Sequence, residues 1–125
     1  MSSQQSETSI NIIAIIKQQW GPSTPWEINC TWKKEYDKLP LNVYPITIGR
    51  RREGVLVMLH CGDRTCEASL HRKPRGSFWV GSARLLLGGE YTDKYKEFFR
   101  DLGLNQEGKE VSLTFIGSEV YISTR

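Results

Sequence analysis

Arg72, Lys73 and Arg75 crowd into one short stretch, Leu70-His71-Arg72-Lys73-Pro74-Arg75-Gly76-Ser77-Phe78-Trp79, set between two strand-like runs. A loop with these cations, a proline that blocks strand pairing and a flexible glycine suits a nucleic-acid backbone, where each neutralised phosphate releases condensed counterions. Arginine offers a planar fork for guanine O6 and N7, lysine a point charge better matched to phosphate, and Gly76 close backbone approach. Ser77 can donate to phosphate, and His71 can hydrogen-bond a phosphate or a base. A second irregular stretch, Lys17-Gln18-Gln19-Trp20-Gly21-Pro22-Ser23-Thr24-Pro25-Trp26, has the same character. Lys17 adds charge, Gln18 and Gln19 suit adenine edges, and Ser23 and Thr24 suit phosphate, while Trp20 can contact sugar, stack on a base or anchor its loop. Arg50-Arg51-Arg52 reads either as a backbone clamp through Arg50 and Arg51 or as a solvated loop with Glu53.

Charge supports this choice without settling it. The chain of 125 residues carries a formal +3, yet residues 33–84 hold eleven Lys or Arg against five Asp or Glu, and residues 90–110 hold four against six. Such a basic concentration suits nucleic acid, an anionic membrane or an acidic partner.

Other chemistries fit less well. Cys61 and Cys66 with His60 and His71 invite zinc, but Gly62-Asp63-Arg64-Thr65 reads as a hairpin turn, and side chains on its arms alternate with period two. Leu59, Cys61, Cys66, Ala68 and Leu70 then share an apolar face while His60 and His71 face away, so the four ligands cannot close one tetrahedron. Buried thiols and no metal or other cofactor are expected. Asp63 and Glu67 lie near the histidines, but there is no nucleophile elbow, phosphate loop or patterned carboxylate set, so no catalysis is expected of this chain alone.

The elements that would position the loops are mostly strands. Residues 1–9 form a polar start without signal-peptide features, and residues 10–125 are read as a single domain, with 38% of the chain apolar and no membrane-length apolar run. An intracellular protein that spans no membrane is expected, and the odd cysteine count agrees with a reducing compartment. Strands are predicted over Ile10–Ile16, where a short helix is the alternative, and over Glu27–Cys30, Val55–Leu59, Cys66–Leu70, from Phe78, over Val111–Phe115 and over Val120–Ile122. Val43–Ile48, interrupted by Pro45, is expected to be an edge or extended link. Helices are predicted over Lys33–Leu39, ended by Pro40, and over Asp93–Leu102, with Tyr95, Phe98, Phe99 and Leu102 on one face and Gly103 at the end. The order implies a mainly β fold with two short helices, a small seven- or eight-stranded pseudobarrel with helices at its ends.

This order of parts, with Leu102-Gly103-Leu104-Asn105-Gln106-Glu107-Gly108-Lys109-Glu110-Val111 leading into a closing hairpin, resembles the B-three DNA-binding pseudobarrel. That fold occurs in plant transcription factors and in the effector domains of EcoRII-like restriction endonucleases, and the prokaryotic branch looks closer. The resemblance implies that Lys17 to Trp26 is an N-arm and Arg72 to Phe78 a C-arm, gripping the major groove of double-stranded DNA like a wrench. It also implies a catalytic nuclease domain in the same full-length protein, a bacterial cytoplasm, and CC(A/T)GG as a first sequence to probe. Two alternatives stay open. One is an RNA-binding small barrel, the other a peptide-binding module using Trp20, Trp26, Trp32 and Trp79.

Overall fold

Alternation of apolar residues produces the strands. In β1 (Ile10–Gln18) it buries Ile12, Ala14 and Ile16, and in β2 (Trp26–Cys30) Ile28 and Cys30. The same period buries Val57 and Leu59 in β3 (Val55–Cys61), Cys66, Ala68 and Leu70 in β4 (Arg64–Arg72), and Phe78 and Val80 in β5 (Phe78–Ser82). Val111, Leu113 and Phe115 of β6 (Glu110–Ile116) and Val120 and Ile122 of β7 (Glu119–Thr124) complete the interior. A computed structural model describes residues 9–18, 26–47, 54–74 and 76–124, without the side chain of Leu85.

The strands close into a seven-stranded barrel in the order β1-β2-β5-β4-β3-β7-β6, with β6 returning to β1. Neighbours are antiparallel except β3 and β7, where Leu59 lies beside Val120. Among the described residues closure leaves only short free edges, which is how a small all-β core limits edge pairing. The fold is thus mainly β with a closed barrel, as the element order predicts.

Helices sit at the barrel ends. α3 (Glu90–Asp101) packs on β4 and β5, burying Thr92, Tyr95, Phe98 and Phe99, and the Tyr95 hydroxyl donates to Val80 O at 3.2 Å. Each such aromatic contributes about 1.5–3 kcal/mol relative to exposure. Leu104 N donates to Phe99 O and Gly103 N to Arg100 O, the two bonds of a Schellman ending, with Gly103 at φ +67°. At the other end Tyr44 enters the barrel, edge-on to Phe115 at 5.4 Å, and its hydroxyl donates to Gly117 O.

Several expectations need correction. The first helix, α1, covers only Lys33–Tyr36 before turns carry the chain to Pro40, and Trp32 at its start makes no side-chain cap bond. The second helix begins three residues before Asp93, because Gly88-Gly89 ends one segment and starts the next. A single helical turn, α2 (Arg84–Leu87), precedes those glycines and has no amphipathic run long enough to announce it. Residues 43–47 pair as no regular strand. They form a link whose Tyr44 plugs the barrel, and Ile48 lies outside the described residues. No helix among the described residues is long and apolar enough to cross a membrane.

Candidate nucleic-acid interface

The described ends of the two loops emerge at opposite ends of the β2·β5 pair. Gln18 lies beside Trp26 where β2 begins, and Cys30 lies beside Phe78 and Phe78 beside Arg72 where it ends. Four residues of β2 separate these points, about 13 Å at roughly 3.3 Å per residue. A major groove is about 12 Å wide.

Lys17 and Gln18 are exposed at the end of β1, and the Gln18 backbone N–H donates to Glu107 Oε1 at 2.6 Å. At the opposite end Lys73 is exposed and Ser77 half-buried, and Lys73 N donates to Ser77 O at 3.0 Å, closing the base of the loop. An open groove of about 630 Å³ runs between this base and α1, lined by Thr31, Lys33, Asp37, Gly76 and Ser77 among others. Lys33 is paired with Asp37 at 2.7 Å within it. Gln19, Trp20, Ser23, Thr24, Arg50, Arg51 and Arg75 lie outside the described residues.

Two expected contacts are corrected. Arg72 is 2% exposed. Period two puts it on the inner side of β4 with Cys66, Ala68 and Leu70, and it reaches the barrel end that residues 36–44 cover. Its guanidinium donates to Tyr44 O at 2.7 Å and Leu39 O at 2.8 Å, with a longer reach to Tyr36 O, and lies 4.3 Å over the Tyr36 ring. Carbonyl dipoles and an aromatic face replace the water that an arginine loses on burial. Such a guanidinium holds the fold together and presents no face to DNA.

His71 is also 2% exposed. It stacks on Trp79 at 3.8 Å and shares a 2.7 Å hydrogen bond between its Nε2 and Ser69 Oγ. A Ser–His hydrogen bond is the beginning of an activated nucleophile, but here Ser69 is wholly buried, with Gly54 against its hydroxyl.

The outer face between the loops joins His71 and Trp79 of the loop motif to Ile15, Asn29 and Glu27, which the motifs did not single out. Ile15, Asn29, Trp79 and His71 follow one another across β1, β2, β5 and β4, with Glu27 opposite Lys17 in the next row. The Asn29 amide donates to Glu27 at 3.1 Å, and Trp79 lies against the backbone of Gly81. Alternation within Trp26-Glu27-Ile28-Asn29-Cys30 was the available signal for Asn29, since its neighbours Ile28 and Cys30 point inward.

The histidines and cysteines diverge as period two requires. Cys66 is buried, while His60 faces outward, bonded to Glu119 at 2.5 Å and stacked on Tyr121. Burial pushes the Cys66 thiol up to about 11, and burial likewise raises Cys30 and Cys61. Among the described residues no group of three His, Cys, Asp or Glu is placed to hold a metal. Trp26 and Trp79 are half-buried and Trp32 is 42% exposed beside α1, with Ile13 and Glu110 lining a separate pocket there.

Comparison with protein-family models, curated proteins and solved structures finds no match.

Proposed function

We propose that this chain binds double-stranded DNA sequence-specifically through the loops after β1 and β4, as a B-three-like effector or target-recognition domain of a restriction endonuclease. The observation that carries this proposal is the groove-width separation of the two loop bases across β2 and β5. Lys17 and Gln18 stand at one base, Lys73 and Ser77 at the other, and a basic loop sequence continues from the second. In this assignment the chain breaks no bond. Cleavage belongs to a nuclease domain of the same full-length protein, in a bacterial cytoplasm.

Arg72 and His71 leave the list of DNA contacts, so base reading falls to the other residues of the two loops. Arg75 and Gln19 are the first choices for guanine and adenine edges, and Lys17 and Lys73 for phosphate. The test is a salt-series titration on duplexes containing CC(A/T)GG, on a scrambled duplex and on matched single-stranded RNA. Preference for one duplex with steep salt dependence is expected. Failure to bind any duplex at low salt overturns the proposal, and preference for RNA replaces it with a stacking surface.

A further inference from the structure

Arg72 is the last residue of β4, and every bond around it ties the start of the basic loop to a segment far upstream. The guanidinium holds the carbonyls of Tyr44 and Leu39 and reaches that of Tyr36. Its backbone N–H donates to Thr47 Oγ1 at 2.8 Å, and its carbonyl accepts from Thr47 N at 3.0 Å. One residue on, the Tyr36 hydroxyl donates to Lys73 O at 2.5 Å, while the ring of the same tyrosine lies under the Arg72 cation. Lys73 N then closes onto Ser77 O.

No carboxylate among the described residues is bonded to this buried cation, and that bears on its purpose. A cation without a counter-ion in an apolar barrel end is an expensive way to gain stability, since a well-packed apolar side chain often serves as well. What the guanidinium supplies that an apolar residue cannot is a flat fork reaching several carbonyls at once, which fixes α1, the link and the loop base as one body.

We infer that Arg72 is a positioning residue: it presets the base of the loop at Lys73 and Ser77, so that less of the loop has to be ordered when its ligand binds. Its effect on recognition rests on the DNA-binding assignment, whereas its effect on the loop does not. Tyr36 acts with it through the hydroxyl on Lys73 O. Lys73 acts differently, as a direct charge contact.

The experiment compares wild type with Arg72→Lys, Tyr36→Phe and Lys73→Ala on a duplex that wild type selects from a randomised pool and on a scrambled duplex, across salt. Exchange of the Lys73 amide hydrogen is followed in the same proteins without DNA. Tyr36→Phe removes one tether and keeps the ring, so the test stands even if Arg72→Lys fails to fold. Arg72→Lys and Tyr36→Phe are expected to lose discrimination on the order of tenfold, as ordering of loop residues moves into the binding step. They keep the wild-type salt slope and release the Lys73 amide to faster exchange, whereas Lys73→Ala lowers the slope.

A lowered slope in Arg72→Lys would make Arg72 a phosphate contact and overturn the inference. Unchanged discrimination with an unchanged Lys73 amide would reduce Arg72 to a stabilising residue. If wild type selects no duplex, the DNA assignment fails separately, and amide exchange decides. Protection lost in both variants upholds positioning, and protection retained overturns it.

Discussion

Glu35 Oε1 accepts the backbone N–H of Ile13 at 2.8 Å, so a side chain from α1 occupies the flank of β1 that β2 does not reach. β2 pairs only with Ile15 to Gln18, and beyond that point Lys38 Nζ donates to Asn11 O and to Glu35 itself. A donor and an acceptor on the exposed edge of a strand are thereby satisfied by one acidic and one basic side chain. A short turn of helix thus protects the edge where a sheet would invite pairing.

The same bond makes stability pH-dependent. The Ile13 amide, and then Lys38, hold the Glu35 carboxyl below its usual range against the opposing effect of burial. A depressed folded value contributes stability that is present above the unfolded value, about 4.3, and is lost as pH falls through the folded one. Glu35→Gln is expected to lose about 1–2 kcal/mol at pH 7. Urea midpoints of the two proteins should converge as pH falls below that of a free glutamate. A gap of equal size at pH 7 and pH 3 would mean that shape rather than charge makes the contact.

Gly54 lies where only a hydrogen fits. A Cβ there would meet Ser69 Oγ at 2.5 Å and Leu70 O at 2.7 Å, and its φ of +76° is strained for any other residue. Gly103 has φ +67° with open space around it. Gly103→Ala therefore measures the backbone cost alone, about 1–2 kcal/mol, and Gly54→Ala adds overpacking for a total of about 2–4 kcal/mol. Denaturant midpoints of the two variants separate these costs. Equal losses would show that Ser69 and His71 move aside freely.

Alkylation should rank the thiols by access. Cys61 is half-buried, whereas Cys30 and Cys66 are buried, and Cys66 is held at about 11 by burial first and the Glu67 carboxylate second. At pH 8 iodoacetamide should label Cys61 first, with Cys30 and Cys66 reacting only on unfolding, as read by mass spectrometry. Labelling of Cys66 at the rate of Cys61 in the native protein would reveal local opening of the barrel beside α3.

What was legible before the structure follows from how local each cause is. The hairpin of β3 and β4 and the closing hairpin of β6 and β7 carry period-two alternation around their turns, and Tyr95, Phe98 and Phe99 mark α3 within a few residues of one another. Arg72 shows where such reasoning ends. Its parity with Leu70 already directed it inward, but its charge argued for solvent. The carbonyls that receive it come from a segment 28 to 36 residues upstream, which no local pattern connects to β4. Tyr44 was obscured in the same way, because Pro40 and Pro45 mark its surroundings as irregular without saying that irregular chain can plug a barrel. At the candidate interface the loops were visible by composition, whereas their separation across β2 and β5 required the sheet order.

Lys17 and Lys73 test that separation directly. They stand at the two ends of β2·β5, too far apart to share a phosphate, so a duplex spanning both ends must neutralise a phosphate at each. Lys17→Ala and Lys73→Ala should each reduce the slope of log K against log salt by about 0.9, and the double variant by about 1.8, since distant sites add. Each single change should weaken selected and scrambled duplexes alike, because a phosphate contact carries no sequence information. A slope that responds to Lys73 but not to Lys17 would confine binding to the loop after β4 and remove the two-armed grip.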